Sequence, residues 1–314
     1  HVALSKNRHV QSLKLFTTRM MKFFVSAILL MFTYALAVDS LAQSHKQTSN
    51  VHSFDVLVFS KTAGYRHESI PTGIDAIRQL GQANGFGVDA SEDASVFTND
   101  NLQNYAAVIF LSTTGDILNS EQQLAFERFI QQGGGFVGIH AASDTEYDWP
   151  WYGQLVGAYF ESHPEIQQAT IEVADQVHPS TSHLSDYWIR TDEWYNFQDN
   201  PRGNVHVLAT LDESSYNGGS MGYDHPIAWM QEFDGGRSWY TGGGHTTESF
   251  SEPDFLQHIL GGILYASGEI TGDFDATNNS QYQVTVIKEN PAFPMALAVL
   301  PTYDVLYIER QGKM

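Results

Sequence analysis

The sequence predicts an α/β protein with an open, mostly parallel sheet that carries helices on both faces. Between residues 54 and 140, short apolar segments alternate with amphipathic segments of helical spacing. The segment 133–144 is a glycine-flanked apolar strand that delivers a histidine to its end. Because open sheets of this kind present their chemistry at the carboxyl ends of the strands, His140 is the first candidate for a functional residue.

The first predicted strand is the continuous apolar run 54–59, which suits a parallel strand buried on both faces. A helix follows it, with Ser69 as the cap and Pro71 in the first turn. Its apolar side chains lie at helical spacing at Ile70, Ile74, Ile77 and Leu80. The next strand is the second apolar run, 106–111.

The second predicted helix begins with a capping-box pattern at residues 120–123 and continues to Gly133. The third strand, 135–140, follows directly. This order of strand, helix, strand, helix, strand predicts a flavodoxin-like or Rossmann-like sheet.

The second half of the α/β region, which we place at 54–268, is richer in strands. The predicted strands are 169–174, 205–211, 227–233 and 237–241, and the helix 253–267 closes the domain. The polar segment 269–280 reads as a linker. The last residues, 281–314, predict a truncated β segment that is too short to bury a core of its own.

The first 42 residues differ in sequence pattern from the rest of the chain. Arg19 and Lys22 precede the apolar run 23–38, and Ser40 and Ala42 supply the small residues that a signal peptidase requires. We therefore expect export to the periplasm or the cell exterior, with cleavage after Ala42 and a short linker at 43–53. The alternative is an uncleaved membrane anchor, although the apolar run is shorter than the about 20 residues of a typical span.

The amino-acid composition of the chain argues against several classes of function. The formal net charge of −20 over 314 residues argues against nucleic acid or an anionic membrane as the main partner, since both require a basic surface. A small neutral or cationic molecule suits this chain better. The sequence has no cysteine, which excludes disulfides, thiol nucleophiles and thiolate metal sites.

Candidate site residues lie in five separated segments, several of which follow predicted strands. These segments are 61–69, 140–144, 161–164, 192–197 and 242–246. If they converge on one edge of the sheet, they form a cleft with imidazoles, carboxylates and aromatic rings. That composition suits acid/base chemistry on a polyol.

Several ordered motifs resemble the ThuA-like (trehalose utilisation) family across residues 54 to about 268. They are Gly-Tyr-Arg-His-Glu-Ser at 64–69, Gly-Ile-His-Ala-Ala at 138–142, His163-Pro164, Asp-Glu-Trp-Tyr-Asn-Phe at 192–197, Pro-Ile-Ala-Trp at 226–229 with Gly236-Arg237, and Gly-His-Thr at 244–246. The resemblance implies the fold of class I glutamine amidotransferases. His140 stands where those enzymes carry the nucleophilic cysteine, so thioester-based glutaminase chemistry is not available to this chain.

The resemblance also implies a place in disaccharide metabolism, in particular the processing of 3-keto-disaccharides made by oxidation of trehalose or related glycosides. Residues 289–301 and 307–312 resemble the opening blade of a quinone-dependent glucose/sorbosone dehydrogenase propeller. We therefore expect a carbohydrate as the small-molecule partner, and a fused or separate sugar dehydrogenase as a protein partner.

A keto-glycoside has an acidic proton beside its carbonyl group, and a base of near-neutral pKa can remove it. We assign His140 as the base, Asp144 as its orienting group and Glu193 as the acid, with His245 or Arg66 facing the oxyanion. The predicted substrate-binding residues are Arg66, His67, His163, Trp194, Tyr195 and Thr246.

Three alternatives stay open. In a metal-dependent hydrolase, a divalent ion such as zinc would be held by histidines from the set His67, His140, His163 and His245, with Glu193 nearby. In a non-catalytic module, the domain would deliver a sugar to the fused dehydrogenase. An amidase or esterase is the third, although the chain has no Gly-x-Ser-x-Gly elbow.

Overall fold

A computed structural model describes residues 53–274 and two short strands, Pro294–Val299 and Val305–Glu309. The chain divides into a unit of residues 1–53 and a unit of residues 54–314. The predicted signal peptide and most of the linker after it lie outside the described residues. Within the described part, no helix is both long enough and apolar enough to cross a membrane.

The second unit contains a nine-stranded sheet and flanking helices. Its first eleven strands are β1 (Asp55–Phe59), β2 (Gly87–Ser91), β3 (Ala107–Leu111), β4 (Gly135–Ile139), β5 (Phe160–Ser162), β6 (Gln167–Val173), β7 (Tyr187–Asp192), β8 (Asn196–Phe197), β9 (His206–Asp212), β10 (Pro226–Phe233) and β11 (Gly236–Thr241). The helices are α1 (Ile70–Asn84), α2 (Asn99–Leu102), α3 (Ser120–Gln131), α4 (Pro150–Val156) and α5 (Pro253–Ala266).

The strand order in the main sheet is β2-β1-β3-β4-β11-β10-β9-β6-β7. The first five strands of this order pair in parallel, and the remaining pairs are antiparallel. Only β6 and β10 therefore run opposite to the other seven strands of this sheet. The predicted class, an open and mostly parallel α/β sheet, is confirmed.

The helices cover both faces of the sheet, as neighbouring residues of β4 show. A Cβ atom added to Gly135 would overlap Ala266 in α5. The ring of Phe136 instead packs against the rings of Phe126 in α3 and Tyr152 in α4. Because successive strand residues point to opposite faces, α5 lies on one face while α3 and α4 lie on the other. Helix α1 contacts α5, and α2 contacts α3.

Two strands of the main sheet were not predicted. In β2, glycine and aspartate have low strand propensity, and the strand lies at the sheet edge. In β7, Tyr187 and Ile189 are each 61% exposed, while Arg190 and Asp192 point inward. Two of the three inward residues are polar, with Trp188 as the third, so hydrophobicity alone does not reveal the strand.

The predicted β segment at 281–314 lies largely outside the described residues. Within it, β12 (Pro294–Val299) and β13 (Val305–Glu309) pair as an antiparallel two-stranded sheet. The propeller resemblance of this segment stays a prediction.

The direction of the strands determines where a site can form. Strands β1, β3, β4, β11 and β7 all run the same way, so their carboxyl ends meet at one edge of the sheet. The segments that follow these ends contain every histidine and carboxylate predicted to act in the site, apart from His163. His163 follows β5, which pairs with β8 in a separate small sheet.

We expect Gly135→Ala to lower the free energy of unfolding by about 1–3 kcal/mol, because the new methyl group would overlap the Ala266 carbonyl group. Urea denaturation measures this change. Gly203→Ala is the matched control, since no heavy atom lies within 4 Å of its added Cβ. Equal effects of the two substitutions would contradict the packing described for β4 and α5.

Candidate functional site

His140 stands at the turn that follows β4. Its side chain is fully buried, and its φ is 52°, a left-handed conformation that costs a non-glycine residue about 1–3 kcal/mol. The hydroxyl of Tyr240 donates to the His140 carbonyl at 2.8 Å and helps to hold the turn. Such strain is typical of functional sites, and it aims the imidazole at the edge of the sheet.

The hydrogen bonds of His140 indicate its tautomer. Nδ1 lies 2.9 Å from the carbonyl oxygen of Gly242, in the segment after β11. Because a carbonyl oxygen only accepts, Nδ1 carries a proton, and in the tautomer protonated there Nε2 presents a lone pair. This Nε2 lies 3.1 Å from Nδ1 of His245.

Glu193, which follows β7, joins the histidines through both carboxylate oxygens. Oε2 lies 3.0 Å from Nδ1 of His245 and 3.5 Å from Nε2 of His140. Oε1 lies 3.1 Å from Nδ1 of His163. The structure thus brings together the predicted residues His140, Glu193, His163 and His245.

The charges of this cluster are coupled. Burial would raise the pKa of Glu193, but the adjacent side chains of His140 and His245 outweigh it and lower this pKa to about 2. Burial likewise opposes protonation of His245, but Glu193 raises its pKa above the ordinary value. Glu193 is therefore ionised at neutral pH, which does not suit the acid role predicted for it.

His67, in the segment after β1, completes the cluster. Its ring centroid lies 4.8 Å from that of His140 and 5.0 Å from that of His245, edge to face in both cases. Burial, together with the neighbouring histidines, lowers the pKa of His67 to about 3, so its ring is neutral. One potential ligand atom from each of His67, His140, Glu193 and His245 lies within 4.8 Å of the others.

A buried ion-pair network holds this arrangement, and its main residue was not among the predicted ones. The Asp192 carboxylate accepts from the backbone N–H groups of Glu193, Gly244 and His245 at 2.8 to 3.0 Å. Arg190 contacts the same carboxylate at 2.9 Å and also pairs with Glu252. The sequence contains a signal for Asp192, since this residue opens the motif at 192–197. The predicted site residue in that motif is instead its neighbour Glu193.

Three other predicted residues have different partners from those expected. The Asp144 carboxylate accepts from Tyr147 at 2.6 Å, and the orienting group of His140 is instead the Gly242 carbonyl. Arg66 is largely exposed and pairs with Glu92 at 2.6 Å. The Thr246 hydroxyl lies 2.8 Å from that of Ser249 and helps to fold the segment before α5.

The two predicted aromatic platforms are both buried. Trp194 is fully buried and donates from Nε1 to the carbonyl of Gln167 at 2.8 Å, so its ring cannot face a substrate. Tyr195 packs against His140, with ring centroids 4.2 Å apart. The exposed rings beside the cluster are Tyr65, against His67, and Tyr147, beside Asp144.

The remaining described histidines outside the site have structural partners. His206 pairs with Asp175, and His225 pairs with Glu213, each at 2.9 Å. His178 contacts the Ser180 hydroxyl, while His258 bonds to the Ser180 carbonyl and to Thr241. His183 bonds to the carbonyl of Asp254.

Comparison with known proteins agrees with this architecture. The ThuA family profile, described as trehalose utilisation, matches residues 55–266. The chain belongs to the ThuA family. Comparison with curated protein sequences gives no match.

Solved ThuA-like proteins share the fold. One from Bacteroides uniformis ATCC 8492 is 24% identical, with a TM-score of 0.60 over 70% of this chain and 94% of its own. Another from Parabacteroides merdae ATCC 43184 is 22% identical, with a TM-score of 0.59 over 71% of this chain and 96% of its own.

We expect Asp192→Ala to lower the free energy of unfolding by about 3–5 kcal/mol, because it leaves the buried charge of Arg190 without one of its partners. Urea denaturation at neutral pH measures the loss. The exposed Asp199→Ala is the control and should stay within about 0.5 kcal/mol of the parent protein. A loss below 1 kcal/mol for Asp192→Ala would contradict the role given to this network.

We expect the free energy of unfolding to fall as the pH is lowered from 7 towards 4. Burial lowers the pKa of His67 and His258 to about 3 and that of His178 to about 4. Below pH 6.5 the unfolded chain binds protons that the folded protein rejects, so each group removes up to about 1.4 kcal/mol per pH unit. His245, whose pKa is raised, acts in the opposite sense.

Urea denaturation at a series of pH values measures this dependence. His178→Gln should make the slope shallower, whereas His183→Gln, on an exposed histidine, should leave it unchanged. A parent protein equally stable at pH 7 and pH 5 would contradict the assignment of buried neutral rings.

Proposed function

We propose that this ThuA-family protein processes 3-keto-disaccharides or related keto-glycosides by histidine acid/base chemistry. The observation that carries the proposal is the buried His140, whose Nε2 presents a lone pair beside the ionised Glu193 and beside His245, whose pKa Glu193 raises. A base and a hydrogen-bond donor that adjoin each other are what an enolisation requires. The family's association with trehalose utilisation supports a disaccharide as the substrate.

In the proposed reaction, Nε2 of His140 takes the proton from C2 of the keto-sugar. The C2–H electron pair forms a C2=C3 bond, and the carbonyl oxygen becomes an enolate that accepts a hydrogen bond from His245. The enolate then restores the ketone while the C1–O bond breaks, leaving a C1=C2 bond. The departing oxygen takes up a proton. Water adds across C1=C2, so the sum of the steps is hydrolysis.

His163 is the group best placed to protonate the leaving oxygen. Its side chain is 41% exposed, so a bound sugar can reach it, and its Nδ1 lies 3.1 Å from Oε1 of Glu193. The Glu193 carboxylate therefore links the buried histidines to the exposed one. The rings of Tyr65 and Tyr147 are 63% and 40% exposed and offer apolar faces to a sugar.

The proposal includes a cellular setting. A 3-keto-disaccharide must be formed by oxidation of a hydroxyl group, so a sugar dehydrogenase has to supply the substrate. The resemblance of the C-terminal residues to a quinone-dependent dehydrogenase supports such a partner, and the signal-like segment before Ala42 supports export.

We expect His140→Asn to lower kcat on 3-ketotrehalose by at least about 100-fold, because it removes the proposed base. Asparagine is chosen because it tolerates the left-handed backbone of this position. Release of reducing sugar measures turnover, with trehalose as the substrate control, since it has no acidic C2 proton.

The matched control is His183→Asn, on an exposed histidine outside the cluster, which should keep the parent rate. Unchanged turnover by His140→Asn would overturn the proposed role of His140. If the parent protein binds 3-ketotrehalose in calorimetry but forms no product, the protein is a non-catalytic sugar-binding module.

A further inference from the structure

We infer that His67, His140, His245 and Glu193 form a binding site for one divalent cation of the zinc type. The inference goes beyond the proposed function, since binding of an ion does not depend on the substrate. It rests on the spacing of the four side chains, on the unpartnered ring nitrogen of His67, and on the surroundings that hold them.

The spacing is that of ligands around one ion. Nε2 of His140, Nδ1 of His245 and Oε2 of Glu193 are 3.0 to 3.5 Å apart in all three pairs. Neighbouring ligands that each lie about 2.1 Å from a metal ion are separated by about 3.0 to 3.4 Å. A donor atom of His67 lies within 4.8 Å of each of these atoms.

The hydrogen-bond geometry of the cluster also favours a cation. With Nδ1 of His140 donating to a carbonyl oxygen, its Nε2 and Oε2 of Glu193 face each other at 3.5 Å. The single proton on Nδ1 of His245 lies between two acceptors, Nε2 of His140 and Oε2 of Glu193. A cation bound among these atoms would accept one electron pair each from His140 Nε2, His245 Nδ1 and Glu193 Oε2.

His67 supplies an independent observation. Its side chain is 4% exposed, and within the described part of the chain its Nδ1 has no hydrogen-bond partner. A buried ring nitrogen without a partner is costly in a folded protein. Coordination of an ion by the His67 ring would give its unpartnered nitrogen a partner.

Hydrogen bonds from groups outside the cluster orient the proposed ligands, as metal sites require. The Gly242 carbonyl holds Nδ1 of His140, and Asp192 holds the backbone of both Glu193 and His245. Outer contacts of this kind fix ring orientation and tautomer in metal sites. The donor set of three imidazoles and one carboxylate suits zinc and similar transition metals, whereas magnesium and calcium prefer oxygen ligands.

A bound ion would change the roles of His140 and His245 in the proposed reaction. Such an ion supplies Lewis-acid polarisation of a substrate oxygen. Nε2 of His140 would then hold the ion, and His163, which is not among the four ligands, is the imidazole left to move a proton.

The test is a metal titration of the full chain after removal of metal with a chelator. Calorimetry with Zn²⁺ should give one ion per chain. His67→Gln and Glu193→Gln should each weaken binding by more than about 10-fold. His183→Gln, on an exposed histidine outside the cluster, is the control and should keep both the stoichiometry and the affinity of the parent protein.

Thermal melting of each metal-free variant reports whether it folds, and Zn²⁺ should raise the Tm of the parent protein by more than that of His67→Gln. If a variant does not fold, the electron paramagnetic resonance spectrum of the Cu²⁺-loaded parent decides, with coupling to three imidazole nitrogens expected. Sub-stoichiometric binding, parent-like affinity in folded His67→Gln, or fewer than three coupled nitrogens would overturn the site. No sugar is present in these measurements, so their failure leaves the proposed function standing.

Discussion

The buried carboxylate of Asp192 is the interaction on which the site depends. It stands at the end of β7, at the far edge of the sheet from β2, and receives the backbone of the segment that carries His245. The same carboxylate fixes the backbone of Glu193 and is neutralised by Arg190. One charge in the interior thereby sets the positions of two functional side chains from segments that are distant in sequence.

His140 reaches the cluster by a different route. It leaves β4 in a left-handed conformation that the surrounding hydrogen bonds maintain, and it meets His245 where β11 ends beside β4. The parallel pairing of β4 with β11 makes this meeting possible, because it brings the two carboxyl ends together. Strand direction therefore supplies the proximity of the site, while Asp192 and the Gly242 carbonyl supply its orientation.

Much of this arrangement could be predicted from the sequence. The apolar runs predict β1, β3 and β4, and the position of His140 after an apolar strand predicts a residue at the sheet edge. Strand β7 could not be found by the same reasoning, because its inward face carries Arg190 and Asp192, which are polar. Residue type also gave a wrong prediction for Trp194, which is buried in the core. A tryptophan in a polar motif is compatible with a sugar-binding platform as well as with a core position.

Protonation states could be predicted least well. Glu193 is a plausible acid by residue type, and only the geometry places two histidines against it and lowers its pKa to about 2. Contacts between segments that are distant in sequence determine these protonation states. The spacing of residues along the chain does not reveal those contacts. The sequence motifs identify the members of the cluster, whereas their roles depend on contacts that form only in the fold.

The most direct test of the account is the fate of the hydrogen at C2 of 3-ketotrehalose during turnover in heavy water, followed by nuclear magnetic resonance. Enolisation at this site predicts that the released keto-sugar carries deuterium at C2, at a rate well above that of a reaction without protein. Release of the keto-sugar with its original C2 hydrogen retained would contradict the account.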